Sequence, residues 1–328
     1  MDKIKFLIIR FSSIGDIVLT SPVVRMIKQQ VKNAEIHYLT KPEYKNLVES
    51  NPNIDKVHIL DKSLKKTIYT LKHQHYHYII DLHKNLRSFR VKNALKIVSF
   101  SFDKLNYEKW ILVNLKRNIL PKKHIVDRYI EPLSVFDIKN DSKGLDFFIP
   151  QKDNFDINSL PGSFQDGYIS LVLGAKHNTK RLTTEKYISI CEKINKPIIL
   201  LGGKENKIEG EIITNKIGEN IYNACGSINI NQSASIIEKS RLVITPDTGL
   251  MHIAAALKKK IISVWGNTVP DFGMYPYFPH PDSEIFQVDN LKCRPCSKIG
   301  FEKCPKKHFK CINNLNINDI AEKALELF

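Results

Sequence analysis

No stretch of this 328-residue chain approaches the roughly 20 consecutive apolar residues that a membrane-spanning helix needs, so an integral membrane protein is not expected. The N-terminal apolar run Phe6-Leu7-Ile8-Ile9 is cut short by Arg10 and is not followed by a small-residue cleavage site. It therefore reads as a buried strand, and the expected location is the cytoplasm. No G-x-G-x-x-G follows that strand, which argues against a dinucleotide-dependent oxidoreductase. Acidic residues are scarce: 34 Asp and Glu face 50 Lys and Arg, a formal net charge of +16 at pH 7. Such a surface favours anionic partners, namely nucleic acid, anionic lipid or phosphorylated substrates. The basic residues are dispersed, without a Lys/Arg block, an RNP-like aromatic motif or a zinc-finger helix, so no nucleic-acid partner is expected.

What is present is a rhythm. Short β-branched runs at Ile4–Ile9, Glu35–Thr40, Lys56–Leu60, Tyr76–Asp81 and Lys96–Phe100 alternate with longer amphipathic segments, the pattern of parallel strands joined by crossover helices. A loop rich in Pro, Asp, Asn, Ser and Gly from about Pro150 to Gly167 interrupts it and reads as a linker. Strands at Tyr168–Leu173, Pro197–Leu201, Arg241–Thr245 and Lys260–Trp265 then repeat the scheme. Typical domains run roughly 100–200 residues, so two are expected, over residues 1–155 and 165–328. The expected fold is α/β, with two Rossmann-like doubly wound domains facing across a cleft in a GT-B-like arrangement and the ligands at the carboxyl ends of the strands. A final helix over Asn316–Phe328 is expected to pack back onto the first domain, by analogy with that arrangement.

Three junctions carry candidate chemistry. After the first strand come Ser12-Ser13-Ile14-Gly15-Asp16, where Gly15 permits close approach of a ligand and Asp16 either contacts it or caps the following helix. In the second half, Thr245-Pro246-Asp247-Thr248-Gly249-Leu250-Met251-His252 joins a buried strand to a helix. Unpaired amides and a partial positive charge at such a helix start suit a diphosphate. There Thr248 and Gly249 offer donors, and His252 either faces the ligand or is a satisfied interior histidine. Between them, Gly174-Ala175 at a strand end precede Lys180-Arg181. Cations in that position could stabilise departing phosphate charge, or simply be a solvated basic loop.

Taken together these segments resemble glycosyltransferase family 9, the ADP-heptose:lipopolysaccharide heptosyltransferases. Lys5-Phe6-Leu7-Ile8-Ile9-Arg10-Phe11-Ser12-Ser13-Ile14-Gly15-Asp16 looks like the family's N-terminal motif, and Pro246-Asp247-Thr248-Gly249-Leu250-Met251-His252 like its nucleotide-sugar motif. Gly174-Ala175 with Lys180-Arg181 matches an intervening motif, with Leu182 where Trp is frequent; Asp81-Leu82-His83-Lys84-Asn85-Leu86-Arg87-Ser88 and His124-Ile125-Val126-Asp127-Arg128-Tyr129 also have counterparts. The resemblance implies an inverting transferase without a catalytic metal, and no D-x-D occurs in a plausible loop. Asp16 would be the general base and Lys180 the group that neutralises the leaving diphosphate. Gly15, Gly174, Ala175, Arg181, Asp247, Thr248, Gly249 and His252 would hold an ADP-heptose donor. Lys84 and Arg87, after the strand ending at Asp81, would meet an anionic lipopolysaccharide-core acceptor, with peripheral contact at the inner face of the cytoplasmic membrane. The motifs leave open another nucleotide sugar, a protein or other glycan acceptor, and a nucleotide-binding module without catalysis.

Four of the six cysteines, Cys293, Cys296, Cys304 and Cys311, fall in one loop over 293–311. A C-x-x-C pair plus two further thiols fits a tetrahedral structural zinc or iron site, and members of the resembled family often carry such a cluster while many others lack it. The later spacings match no familiar zinc ribbon, which leaves a reduced loop of reactive thiols as the other reading.

Overall fold

The structure is a computed structural model and describes residues 3–328. Two compact units emerge. One comprises the chain up to Lys104 together with Lys123–Phe148, the other Leu105–Lys122 with Ile149–Phe328.

The first unit is built on β1 (Ile4–Ile9), β2 (Ala34–Thr40), β3 (Lys56–Ile59), β4 (Tyr78–Asp81) and β5 (Ser99–Ser101). They pair in parallel in the order β3-β2-β1-β4-β5. Helices α1 (Ile14–Val18), α2 (Ser21–Gln30), α3 (Leu64–Lys72), α4 (Leu86–Leu95) and α6 (Ile125–Ile130) connect or follow them, while α5 (Asn106–Leu115), between α4 and α6 in the chain, belongs to the second unit. In β1, Phe6, Leu7, Ile8 and Ile9 are all fully buried, as expected of a central strand covered on both faces. Lys96, expected to open a strand, instead ends α4 in the left-handed conformation at φ 56°, so β5 starts three residues later.

The second unit contains β6 (Ile169–Val172), β7 (Ile198–Leu201), β8 (Ile221–Asn223), β9 (Leu242–Pro246), β10 (Lys260–Trp265) and β11 (Glu284–Gln287). Their order is β11-β10-β9-β6-β7-β8, again parallel. The helices are α7 (Thr184–Ile194), α8 (Lys207–Ile217), α9 (Ile230–Lys239), α10 (Gly249–Ala256), α11 (Lys310–Asn313) and α12 (Ile317–Leu327). The two strands that the apolar pattern does not announce, β8 and β11, are the edges of this sheet. A half-covered edge needs no continuous apolar run, and in β11 Glu284 and Ile285 are exposed.

One expectation is corrected, that of the C-terminal helix, and the division carries one addition: the units part between Phe148 and Ile149, beside the linker read at 150–167, and Leu105–Lys122 also packs with the second unit. There Lys116 Nζ donates to the carbonyls of Cys293 (3.2 Å) and Pro295 (2.6 Å), and Asn118 Nδ2 to Asp271 Oδ1 (2.6 Å). The C-terminal helix α12 buries Ile320, Ala324 and Leu327 in the core of the second unit, against α7. The linker from Pro150 is itself tied to α9, since Asp153 accepts from Asn229 Nδ2 and Asn231 Nδ2, both at 2.9 Å.

Inside the first unit lies a polar knot of buried His37, His58 and Tyr76 with half-buried Glu35 at its edge. His37 Nε2 meets Glu35 Oε1 at 2.9 Å, and His37 Nδ1, His58 Nε2 and the Tyr76 hydroxyl lie within 2.9–3.1 Å of one another. Burial pushes both imidazoles down, His58 to about 4, with Glu35 only partly opposing the shift at His37. A histidine kept neutral in the fold binds fewer protons than in the unfolded chain. Its contribution is complete above the ordinary value of 6.5 and is lost as pH falls from there toward 4. For His58 the shift corresponds to about 3 kcal/mol. Denaturant titrations across that window are expected to show stability falling with pH, and His58→Gln to flatten the slope; an unchanged slope would remove His58 from the account.

Candidate active site

At the carboxyl end of β1 the chain meets Arg10, which is buried and folds its guanidinium back onto three segments. Nε donates to Ser12 O (2.8 Å), and Nη1 to Leu82 O beyond β4 and to the Tyr129 hydroxyl on α6 (3.1 Å). Nη2 pairs with Asp16 Oδ1 at 2.7 Å. In the sequence Arg10 stands out only as the residue that ends an apolar run. A charge placed directly at the end of a buried strand was the available signal.

Asp16 is the third residue of α1 rather than its N-cap, which is Ser13. Its Oδ2 accepts from the Ser13 amide (3.1 Å) and hydroxyl (2.8 Å), closing a capping box. Burial would raise this carboxyl, but Arg10 and the two Ser13 donors outweigh it and hold the pKa below the usual carboxylate value. Asp16 is therefore ionised at neutral pH, fixed through both oxygens, and still 23% exposed. Helix capping and access to a ligand coexist in one side chain. Gly15 is buried within the same short helix.

Asp81, fully buried, organises the loop after β4. Oδ1 accepts from the amides of His83 (3.0 Å) and Lys84 (2.7 Å), and Oδ2 from Ser88 Oγ (2.8 Å) and Lys92 Nζ (3.1 Å). This turns Lys84 and Arg87 outward, and both are exposed. Lys84 adopts φ 50° and donates from Nζ to Phe102 O at 3.0 Å. Two further basic groups enter the same corner unannounced. His83 packs tilted against Phe11 at 4.8 Å between centroids, and burial followed by the Arg10 charge pushes it down to about 4. Its Nδ1 is buried without a hydrogen-bond partner. Burial and Arg10 likewise lower Lys104.

In the second unit the carboxyl ends of β6 and β9 come together. Lys180 Nζ pairs with Asp247 Oδ2 at 2.6 Å, and the Thr268 hydroxyl donates to the same oxygen at 2.9 Å. Thr248 is the N-cap of α10, extended at φ −148° and ψ 173°, with no side-chain cap bond of its own. The first amides of α10, from Gly249 on, have no partner within the helix and add a partial positive charge beside this pair. His252 is 2% exposed, so its ring lies in the interior. Arg181 turns away to Glu209, which also accepts from Thr184 Oγ1 (3.0 Å) and Asn206 Nδ2 (3.2 Å).

Gly174 and Ala175 close β6, and the space beside Gly174 is filled by Asn206. A Cβ on Gly174 would lie 2.7 Å from Asn206 Oδ1, and one on Gly202 2.7 Å from Asn206 Cβ. These glycines thus admit a fully buried asparagine that braces the two strand ends.

The Cys loop is held by protein contacts. Arg294 donates to Thr268 O (3.0 and 2.7 Å) and Gln287 Oε1 (2.8 Å), and Cys296 Sγ to Cys293 O (3.1 Å). Cys293 Sγ lies 3.7 Å from His308 Nε2. Burial, then neighbouring thiols, raise Cys296 to about 11 and Cys311 to about 12. Among the described residues no three His, Cys, Asp or Glu are arranged to hold a metal ion. The expected structural zinc or iron does not fit Cys293, Cys296, Cys304 and Cys311 as they stand.

The Asn206 brace is open to test. Gly174→Ala and Gly202→Ala are each expected to cost about 1–3 kcal/mol of unfolding free energy in denaturant titrations, and an unchanged midpoint would mean that Asn206 moves aside freely.

Comparison with known proteins agrees with this geometry. The family model described as glycosyltransferase family 9 (heptosyltransferase) matches residues 64–306. Lipopolysaccharide heptosyltransferase 1 of Campylobacter coli is 25% identical, with 99% of each chain covered. Among solved structures, the ADP-heptose lipopolysaccharide heptosyltransferase II of E. coli superposes with a TM-score of 0.77 at 18% identity, covering 99% of this chain and 98% of that one. A family 9 glycosyl transferase of Veillonella parvula gives 0.79 at 17%, covering 100% and 98%. The structural likeness establishes the GT-B fold, and the family match establishes the rest: this chain belongs to glycosyltransferase family 9, the heptosyltransferases.

Proposed function

We propose that the protein transfers a heptose from ADP-heptose to an inner-core sugar of lipopolysaccharide, with inversion at the anomeric carbon. The observation that carries this reading is the pair of charged junctions: an ionised carboxylate held by Arg10 in one unit, and a Lys180–Asp247 pair beside the start of α10 in the other. The C. coli and E. coli relatives, named for heptose transfer and ADP-heptose, supply the sugar and the nucleotide.

On this reading the first unit takes the acceptor and the second the donor. The acceptor hydroxyl attacks the anomeric carbon as its proton passes to Asp16. The bond from that carbon to the diphosphate oxygen breaks, and ADP leaves with the electron pair. An ionised, immobile carboxylate suits this step, because the acceptor proton becomes acidic only as the new bond forms. Lys180 and the α10 amides stabilise the charge that collects on the diphosphate. Thr248 and Gly249 line that end, while Asp247 orients Lys180 and faces the sugar. His252 acts from the interior, and Gly15, Gly174, Ala175 and Arg181 shape the surrounding backbone. Lys84 and Arg87 receive the acidic groups of the acceptor. No catalytic metal enters this scheme, and the thiol loop takes no part in it. The reaction is placed in the cytoplasm, at the inner face of the membrane. Among the described residues no helix is long and apolar enough to cross one.

Asp16→Ala is expected to lower transfer by on the order of 10²–10⁴ while ADP affinity stays within about threefold; near-normal turnover would remove the base assignment. Asp16 owes its low pKa partly to Ser13, so Ser13→Ala raises it and moves the acid limb of the pH–rate profile to higher pH. In calorimetric titration ADP-heptose should bind in preference to UDP- and GDP-sugars, and Lys180→Ala should weaken both donor binding and turnover. Preference for a UDP- or GDP-sugar overturns the donor, and tight ADP-heptose binding without transfer to any acceptor would leave a binding module.

A further inference from the structure

The segment Leu105–Lys122 buries one side of α5, Ile111 and Leu112, and leaves the other without protein cover. Tyr107 is 69% and Trp110 50% exposed, one helical turn apart, and the chain beyond continues with Leu115 at 55% and Ile119 at 46%. Four large apolar side chains in thirteen residues are more than scattered surface hydrophobics. Glu108, between Tyr107 and Trp110, is the one carboxylate of this helix, and beyond it the charge has one sign. From Lys109 to Val126 there is no Asp or Glu, while Lys109, Lys116, Arg117, Lys122 and Lys123 are all cationic. Lys116 is taken up by the Cys293 and Pro295 carbonyls and Lys123 by Glu131, but Arg117 and Lys122 are exposed at the edge of the apolar strip.

We infer that this face is a docking surface for an anionic phospholipid bilayer. Tyr and Trp settle at the headgroup level, where an apolar ring and a polar tip are both satisfied, and flanking Lys and Arg meet lipid phosphates. A helix with one side packed on protein and the other bearing Tyr107 and Trp110 can lie in the plane of the interface. A nucleic acid would meet the same cations and find Tyr107 and Trp110 to stack on, but it would leave Leu115 and Ile119 in water, whereas a bilayer covers all four side chains. The inference rests on the proposed function to the extent that a lipid-linked acceptor gives the docking its purpose.

The chain itself carries the probe. It has two tryptophans, and Trp265 is 1% exposed, so a change in emission on adding vesicles reports Trp110. With the purified full chain, vesicles of phosphatidylcholine containing a third phosphatidylglycerol should cosediment the protein and blue-shift its emission. Neutral phosphatidylcholine vesicles should bind on the order of tenfold less, and salt should reverse the binding. Tyr107→Ser with Trp110→Ser, and separately Arg117→Glu with Lys122→Glu, should each lower binding at least about tenfold with the melting temperature retained. Transfer to a soluble, deacylated acceptor should be unchanged in both variants and transfer to a vesicle-embedded acceptor reduced. Absence of transfer to the soluble acceptor by the parent would defeat the functional reading and leave the vesicle measurement standing. The docking surface is overturned if the parent ignores anionic vesicles, if the variants bind as well as the parent, or if the parent is a dimer that Trp110→Ser dissociates.

Discussion

Arg10 is the constraint on which the first unit's site depends. It stands where β1 leaves the sheet, is buried by the segments it joins, and spends its donors on Ser12, Leu82, Tyr129 and Asp16. A guanidinium suits this place because it stays charged when desolvated and its fork can serve several acceptors at once. Without that charge the burial of Asp16 would favour the neutral acid. With it, the carboxylate is ionised, oriented, and already satisfied by the capping box on its other oxygen.

The second unit meets the same problem with a lysine. Lys180 and Asp247 come from loops after different strands, and Thr268 from a third, so the pair exists only because β6, β9 and β10 are adjacent in the sheet. The Cys loop reaches this point through its backbone contacts, with Arg294 binding the carbonyl of Thr268 while the Thr268 hydroxyl binds Asp247. Nearby, Arg181 pairs with Glu209, and Gly174 and Gly202 make room for the Asn206 side chain.

Elements were legible in proportion to their burial. Central strands such as β1 and β10 announce themselves as apolar runs because both faces are covered, whereas the edge strands β8 and β11 carry no such requirement. The junction motifs were legible for a related reason. Gly15, Asp16, Asp247 and Thr248 sit at strand-to-helix turns, where a parallel sheet gathers its ligands. Arg10, His83, Lys104 and Thr268 were not, since each draws its meaning from neighbours distant in the chain.

What the sequence alone determined is the α/β alternation, the two parallel sheets and the carboxyl-end location of the candidate chemistry. Local periodicity and turn residues suffice for those. The tertiary structure decided which charges pair, that α12 and Leu105–Lys122 belong to the second unit, and that the apolar face of Tyr107 and Trp110 stays uncovered. Pairing and burial are properties of side chains brought together across tens or hundreds of residues, and no local pattern encodes which of several dispersed lysines will reach which carboxylate.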